Sequence, residues 1–271
     1  VVYAAQKGAR VINLSLGGYS YSSTLLAAIQ AAVNTYGAVV VAGAGNDNTD
    51  APFYPAAYEE ALAVAGTDEA DLKSTISNYG AWVDLAAPAV DIWTTFSGGG
   101  YGAVDGTSVA APFVAGAAGL LFSHYPDWSN ELVRAQLEHT ADALDLLNPG
   151  YEGLLGYGRV NAGGALTITP HPIVEMVETR VNGDPLERPM PGESATLAIT
   201  LGNDWMEAVD LTGVLTTSDA YVTITQNTAG FGDLPAGGTA TGSPTYIFDV
   251  PLEAGYDHPI NFTLAVSAYG G

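Results

Sequence analysis

The stretch that decides the fold is residues 106–121, which read GTSVAAPFVAGAAGLL. It follows a Gly-rich stretch at residues 97–102 and consists mostly of Ala, Gly and Val, which predicts a small-residue helix. Ser108 lies at the start of that helix, where unpaired backbone N–H groups and the helix dipole favour negative charge. An oxyanion forming beside Ser108 would be stabilised there, so Ser108 is a candidate nucleophile. The alternative is an ordinary N-cap serine.

Upstream of this helix, apolar runs of strand length alternate with a helical pattern. The runs are residues 11–16 (VINLSL) and 38–45 (AVVVAGAG), and residues 25–37 between them carry apolar residues on a helical period before a terminal Gly. This β-α-β arrangement predicts an α/β fold with a mostly parallel sheet flanked by helices over residues 1–166. Ligands bind such sheets at the carboxyl ends of the strands, so we expect the chemistry in the loops that follow the two runs.

After the first domain the pattern changes to Pro-punctuated segments in which apolar and polar residues alternate, such as LAITL at 197–201 and INFTLAV at 260–266. That alternation predicts a smaller all-β domain, an antiparallel sandwich. We therefore predict a first domain over residues 1–166, a linker at 167–172 and a second domain over residues 173–271.

The chain of 271 residues carries 7 basic and 29 acidic side chains, a formal net charge of −22. Such a charge opposes binding to nucleic acid and to anionic lipid surfaces. The sequence contains no Cys, which excludes disulfides and thiol chemistry. No apolar run reaches the roughly 18–20 residues that a membrane span needs. The sequence begins at Val1 without Met or a signal peptide, so we expect a soluble, truncated chain.

Several motifs occur in order along residues 1–166: VINLSLGG, VVVAGAGNDN, FYPAAY, SNYGAWVDLAAP, GTSVAAPFVAG and GYGRVNAGGAL. Together they resemble the subtilase family of serine proteases, in particular its thermitase-like members. The resemblance implies a serine endopeptidase that hydrolyses peptide bonds through an acyl-enzyme on Ser108. It also implies that Asn46 donates a side-chain N–H to the oxyanion hole, with the backbone N–H of Ser108 as the second donor. The alternative for Asn46 is a turn residue.

The same resemblance places the walls of the primary specificity pocket in two glycine-containing loops. Small residues there leave room for a side chain, and Gly lets a peptide backbone approach and pair as an added strand. The alternative is that both loops are tight turns after strands. Phe53 falls near the bottom of the pocket, where its ring would shorten it. The substrate is a peptide or protein, and the implied binding residues are Ser15, Leu16, Gly17, Gly18, Gly43, Ala44 and Gly45.

In some members of the family, loop carbonyls and one carboxylate form a weak cation site. The matching residues here are Ala56, Tyr58, Ala61 and Asp84, whose oxygens suit Ca²⁺ or Na⁺. Because only Asp84 offers a charged side chain, a solvated or hydrogen-bonded carboxylate is the alternative interpretation. The chemistry on Ser108 requires no cofactor.

The Asp and His of the family's catalytic triad precede the serine, upstream of the helix with which this sequence begins. None of His124, His139, His171 and His258 fits the base. We therefore expect the complete triad only in a longer parent protein, and at most residual catalysis from this chain alone. The alternative is a catalytically inactive pseudoprotease or a cell-surface adhesion protein that uses the fold as a scaffold. An upstream sequence lacking Asp or His would favour it.

The second domain resembles the Ig-like accessory modules of secreted bacterial proteins, on segments such as SDAYVTIT, FGDLPAGG and INFTLAV. The resemblance implies a role in folding, anchoring or substrate binding, and it leaves a cell-surface or matrix ligand, a peptide, a glycan or no ligand open. Trp205, Tyr221 and Phe231 form a binding face, pack in the core or are exposed at random. We expect an extracellular protein, secreted or associated with the cell surface.

Overall fold

The computed structural model describes residues 1–255 and 258–268, and the chain divides into two units, Val1–Thr169 and Pro170–Gly271. The division falls within residues 167–172, the predicted linker. Each unit has a hydrophobic core of its own.

A parallel sheet is the central element of the first unit, and its described residues form four strands. The strands are β1 (Val11–Leu14), β2 (Val39–Gly43), β3 (Ala61–Thr67) and β4 (Leu85–Pro88), ordered in space as in the sequence. Because helices cover both faces of the sheet, β2 and β3 are buried along their whole length, and they therefore read as continuous apolar runs. The predicted α/β fold with a mostly parallel sheet is confirmed.

Helices flank the sheet: α1 (Val2–Gln6), α2 (Ser23–Gln30), extended by a π-helical turn (Ala31–Thr35), α3 (Thr107–His124), α4 (Asn130–His139) and α5 (Ala162–Thr167). Val39 and Val41 of β2 share a core cluster with α3 and α4, whereas Val40 packs with α2, so successive residues of the strand face opposite layers. The hydroxyls of Ser22 and Ser129 accept hydrogen bonds of 3.2 Å from backbone N–H groups and cap α2 and α4.

The central helix α3 lies close to the sheet because its inward side chains are small. Ala110, Ala111, Val114, Ala117 and Ala118 are all buried. Of the described helices, α3 alone has the length and apolar composition of a membrane-spanning segment. Its buried residues belong to the same core cluster as β2 and β3, so packing within the unit accounts for that composition.

Immediately before α3 the chain forms an antiparallel hairpin of β5 (Ile92–Phe96) and β6 (Gly100–Val104), where the sequence shows only a Gly-rich stretch. Gly98 and Gly99 turn the chain with φ angles of 90° and 86°, which favour glycine. Trp93 on this hairpin is 74% exposed. The hairpin therefore presents an aromatic side chain to solvent just upstream of α3.

The described residues of the second unit form two antiparallel sheets. The strands are β7 (Val174–Val181), β8 (Glu193–Asn203), β9 (Ala208–Thr217), β10 (Thr223–Gln226), β11 (Thr228–Leu234), β12 (Thr239–Thr241), β13 (Tyr246–Val250) and β14 (Phe262–Ser267); a 3₁₀ turn (Leu252–Ala254) follows β13. In one sheet β13 and β12 pair with one edge of β8, β7 pairs with its other edge, and β10 pairs with β13. The other sheet has the order β11-β9-β14. Leu197, Leu215 and Phe248, from both sheets, belong to one core cluster.

The three aromatic residues considered for a binding face have different environments. Trp205 and Phe231 are only 3% and 7% exposed, so the binding-face interpretation is wrong for both, and their rings serve the core. Tyr221 is 47% exposed. The alternation of apolar and polar residues in the sequence did not show which of these aromatic rings face the core and which face solvent.

Candidate active site

The candidate nucleophile Ser108 lies in the first turn of α3, which meets the carboxyl end of β2. Gly43 ends β2 so close to α3 that a Cβ on it would lie 2.9 Å from the carbonyl oxygen of Thr107. Gly106, just before α3, has a φ of 137°, a conformation that favours glycine. These glycines let the strand end and the helix start approach each other, and the side chain of Ser108 is exposed at their junction.

The side chain of Asn46 is oriented by Thr107, a residue that the sequence reading missed. Asn46 Oδ1 accepts hydrogen bonds from the Thr107 backbone N–H at 2.8 Å and from its hydroxyl at 3.1 Å. Because both Thr107 groups donate, the amide oxygen must face Thr107 and Nδ2 must face away. Among the residues that the structure describes, Nδ2 has no acceptor, so its N–H groups are available to a ligand. The Thr that precedes Ser108 in the GTS motif was the available signal.

The Thr107 hydroxyl also ties the loop after β2 to α3. It accepts a hydrogen bond from the backbone N–H of Gly45 at 3.0 Å while it donates to Asn46. Thr107 is 2% exposed and Gly45 is buried, so water does not compete for the bond between them. One buried hydroxyl therefore sets the distance between the Asn46 loop and the first turn of the helix.

Ser15 binds the first turn of α3, at a carbonyl group that a proline leaves without its usual helical hydrogen bond. The carbonyl of Ser108 would normally accept from the N–H four residues along, but Pro112 stands there and has no N–H. The hydroxyl of Ser15 donates to this carbonyl at 2.6 Å and in turn accepts from Asn13 Nδ2 at 2.9 Å. The predicted binding loop that begins at Ser15 is thereby held against the backbone of Ser108.

A cavity of about 170 Å³ lies beside Ser108. Leu16 and Gly17 line it from the loop after β1, and Gly43 and Gly45 line it from the end of β2 and the following loop. The complete lining is Leu16, Gly17, Gly43, Gly45, Asn46, Asp47, Phe53, Thr107 and Ser108. The structure therefore brings the two predicted walls, the candidate nucleophile and the candidate oxyanion donor to one concave site.

Three of the residues predicted to bind substrate do not line this cavity. Ser15 binds the Ser108 carbonyl, as described above. Gly18 pairs with Tyr54 through two backbone hydrogen bonds of 2.8 Å. Ala44 is fully buried in a separate core cluster, because its side chain points into the sheet layer rather than toward the cavity.

Phe53 closes the cavity between its two walls. A Cβ on Gly17 would lie 2.3 Å from Phe53 Cε1, and a Cβ on Gly45 would lie 3.0 Å from Phe53 Cγ. The ring of Tyr19 packs edge-on against Phe53 with ring centroids 5.1 Å apart. The phenyl ring thus lies against both glycine backbones.

The loop after β2 is held by Asn78, a buried residue that the sequence reading did not single out. Asn78 Oδ1 accepts from the backbone N–H of Asp47 at 2.9 Å and of Thr49 at 3.2 Å, and Nδ2 donates to the Ala44 carbonyl at 2.9 Å. The hydroxyl of Tyr19 donates to the Asp47 carboxylate at 2.6 Å. Burial and this hydrogen bond raise the pKa of Tyr19. The Asn in the SNYG motif was the available signal.

The described part of the first unit places no base beside the nucleophile. The hydroxyl oxygen of Ser108 has no hydrogen-bond partner among these residues. His124 ends α3, about 24 Å from Ser108 at 1.5 Å per residue. His139 ends α4, where its ring packs 5.1 Å from that of Tyr157. The described residues therefore offer hydrogen-bond donors beside Ser108 but no group that could accept its proton.

The carboxylate of Asp84 is engaged on both of its oxygens. Oδ1 pairs with Arg134 Nη2 at 2.8 Å, and Oδ2 accepts from the backbone N–H of Ala63 at 2.7 Å. The guanidinium therefore already supplies a positive charge beside Asp84. Across residues 1–255 and 258–268, no cluster of three or more His, Cys, Asp or Glu side chains could hold a metal. The cation site stays a prediction, and its other residues are buried: Ala56, Tyr58 and Ala61.

Comparisons with known proteins match the first unit. The subtilase family is matched over residues 1–158. Thermitase from Thermoactinomyces vulgaris is 48% identical over 162 residues, which are 60% of this chain and 56% of that protein. A thermophilic serine proteinase from Bacillus sp. strain AK1 is 44% identical over 167 residues, 62% of this chain and 40% of that protein. The chain thus spans about half the length of the curated relatives it matches.

Solved structures of proteases also resemble part of this chain. A protease structure from Pseudoalteromonas arctica superimposes with a TM-score of 0.54 and 33% sequence identity, covering 58% of this chain and 50% of that one. The parallel sheet and its helices are therefore shared with proteases of known structure.

Proposed function

The chain belongs to the subtilase family of serine proteases, and from this premise we propose that it forms the carbonyl-binding part of a serine endopeptidase. Ser108 is the nucleophile in this proposal, and its backbone N–H and Asn46 Nδ2 form the oxyanion hole. The observation that carries it is the orientation of Asn46. Thr107 holds the amide oxygen, which leaves the Nδ2 donors free at a cavity that Ser108 also lines. The substrates are peptides and proteins.

The proposed reaction is the hydrolysis of a peptide bond in two stages, through an acyl-enzyme on Ser108. Ser108 Oγ attacks the carbonyl carbon of the peptide bond as its proton passes to a base, and the oxyanion that forms accepts hydrogen bonds from the two donors. The C–N bond then breaks, the leaving amine takes the proton, and an acyl-enzyme remains on Ser108. Water, deprotonated by the same base, attacks this ester, releases the carboxylic acid and restores Ser108. These steps need no cofactor.

The base and the Asp that orients it come, in this proposal, from a further part of the protein upstream of these residues. Two uncovered surfaces support it. On α3, the large apolar residues Phe113 and Leu120 are 45% and 52% exposed, on the side of the helix that faces away from the sheet. Within the described residues, β1 pairs with β2 alone, so the other edge of a parallel sheet stays open. Proteins normally cover both kinds of surface.

The test uses the protein extended by its upstream coding sequence, with peptide hydrolysis as the assay. Asn46→Asp keeps an oxygen for Thr107 and removes the Nδ2 donor, so we expect kcat to fall about 10²–10³-fold, the magnitude known for one oxyanion-hole amide of a subtilisin. Ser108→Ala removes the nucleophile, and Ser123→Ala, an exposed serine on the same helix, is the control. Equal hydrolysis by the Ser108→Ala and unchanged proteins would refute the proposal.

A pseudoprotease or adhesion scaffold is the second candidate, and one observation favours it. The hydroxyl of Ser108 has no base beside it in the described residues, so nothing in them activates it. If the upstream sequence lacks the Asp or the His, and Ser108 does not react with an active-site-directed fluorophosphonate, the scaffold function replaces the protease function.

For the second unit we propose an Ig-like β-sandwich accessory domain of a secreted or cell-surface protein. The support is its pair of antiparallel sheets around one core, built without any cysteine. A cell-surface or matrix ligand is part of this proposal. Detection of the protein in the culture medium or on intact cells, against its absence from both, tests the extracellular location.

A further inference from the structure

The second unit contains a large cavity, and no residue of the proposed protease site lines it. Its volume is about 950 Å³, within the range of roughly 300–1,000 Å³ typical of ligand sites. Apolar side chains from both sheets line it, among them Leu197, Ile199 and Phe248 from one sheet and Phe262 and Leu264 from the other. The space therefore lies between the two sheets.

Two strand edges flank this cavity. In the part of the chain that the structure describes, β7 pairs with β8 alone and β14 pairs with β9 alone, so each strand leaves one row of backbone N–H and C=O groups unpaired. Such an edge is a template for a further strand. The cavity is thus an apolar slot bordered by backbone groups that have no strand partner in the described residues.

Most of the lining side chains along these edges lie at alternate positions, as a bound strand requires. On β14 the lining residues are Phe262, Thr263, Leu264 and Val266, and three of these four occupy every second position. On β7 they are Val174 and Met176, and then Thr179 and Val181, because an irregularity in the pairing after Met176 shifts the alternation by one residue. Met176 is 62% exposed, so the slot is open to solvent along β7.

The charges of the unit point to a single carboxylate on the ligand. The only basic residues from 170 onward are Arg180 and Arg188. Arg180 pairs with Glu178 at 2.8 Å. Arg188 is exposed, lines the cavity and has no ion pair in the described residues. His258, which also lines the cavity, is bonded to Asp219 at 2.6 Å. Arg188 is therefore the cation left for an incoming anion.

We propose that the slot between β7 and β14 binds an extended apolar peptide segment that carries one carboxylate for Arg188. The peptide pairs its backbone with an open strand edge and buries alternate side chains between the sheets. A fatty acid would also fill an apolar cavity and meet an arginine, but its chain has no groups for the unpaired backbone N–H and C=O groups. The strand edges therefore favour a peptide. This site is independent of Ser108 and of the proposed hydrolysis.

The experiment measures binding of a fluorescent eight-residue peptide of alternating valine and threonine, with a free C-terminal carboxylate, to the 271-residue chain. Three competitors define the ligand: the C-terminal amide of the same peptide, the peptide N-methylated at every second residue, and dodecanoate. We expect the amide and the N-methylated peptide each to bind about tenfold or more weakly, since one loses a charged hydrogen bond and the other several backbone bonds.

Variants locate the site. Arg188→Gln should weaken binding of the carboxylate peptide about tenfold and leave binding of the amide unchanged. Arg180→Gln, which removes the paired arginine, is the matched control and should leave both unchanged. Met176→Glu places a charge at an exposed position of the slot and should weaken both peptides without unfolding the protein, which circular dichroism checks.

Three results would overturn the proposal. They are no binding of the peptide at millimolar concentration, equal binding of the plain and N-methylated peptides, and binding that Arg188→Gln and Met176→Glu leave unaltered. Tight binding of dodecanoate together with any of these would assign the cavity to an amphiphile instead.

Discussion

Replacing Thr107 by Val tests the arrangement of the site in the 271-residue chain itself. Val keeps the branched shape of Thr but lacks the hydroxyl, so two hydrogen bonds are lost. One is the bond that Thr107 accepts from Gly45 at 3.0 Å, and the other is the bond that it donates to Asn46 at 3.1 Å. Because Thr107 is 2% exposed and Gly45 is buried, water does not replace the hydroxyl as acceptor.

The expected loss of stability follows from these two bonds. A buried N–H left without an acceptor costs about 1–3 kcal/mol, and the bond to the exposed Asn46 contributes about 0.5–1.5 kcal/mol. We expect the free energy of unfolding of the first unit to fall by about 2–3 kcal/mol. For a unit of this size that lowers its Tm by about 4–12 °C.

Thr140→Val is the matched control. Its hydroxyl is also buried and donates to the Gln136 carbonyl at 2.6 Å, but that carbonyl keeps a hydrogen bond of 3.2 Å from the Thr140 backbone N–H. No donor is orphaned, so we expect a loss of only about 1 kcal/mol. Thr107→Ser retains the hydroxyl and should restore most of the stability lost in Thr107→Val.

Differential scanning calorimetry of the three variants provides the measurement, with the transition of the first unit followed at neutral pH. If Thr107→Val and Thr140→Val lose the same stability within about 0.5 kcal/mol, the Thr107 hydroxyl does not link the two segments. The backbone N–H of Thr107, at 2.8 Å, would then be the only described donor that orients Asn46.

Three further predictions follow from the same contacts. In the extended protein, Phe53→Ala should deepen the cavity and raise kcat/KM for Phe relative to Ala, at the position before the scissile bond, by about tenfold or more; an unchanged ratio would show that the ring does not limit the pocket. Hydrogen bonds from Arg159 and Asn161 lower the pKa of Asp142, so its carboxylate contributes stability that is present above the unfolded pKa of about 3.9 and is lost as pH falls through the folded value. Asp142→Asn should therefore lower Tm at pH 7 and not at pH 2, and an equal shift at both would contradict this. Because Arg134 already pairs with Asp84, EDTA should leave the Tm of the first unit unchanged, whereas a clear decrease would contradict this and show that the unit binds a divalent cation.

The parallel sheet, the central helix and the positions of Ser108 and Asn46 were predictable from sequence because each rests on a local pattern. A strand buried on both faces, such as Val39–Gly43, is a continuous apolar run whatever surrounds it. A helix that packs tightly against a sheet, such as Thr107–His124, needs small residues along one side. The cap at Ser129 is likewise a short-range hydrogen bond, since its hydroxyl accepts from Leu132 three residues along.

Contacts between distant parts of the chain were decided by the tertiary structure alone. Ser15 reaches the Ser108 carbonyl across 93 positions, and it does so because Pro112 leaves that carbonyl without its helical partner. Thr107 orients Asn46 across 61 positions. The motifs placed these residue types in the chain, but which atom of an amide faces which hydroxyl depends on packing that no local pattern contains. The same holds for the slot between β7 and β14, since unpaired edges exist only once the sheets have formed.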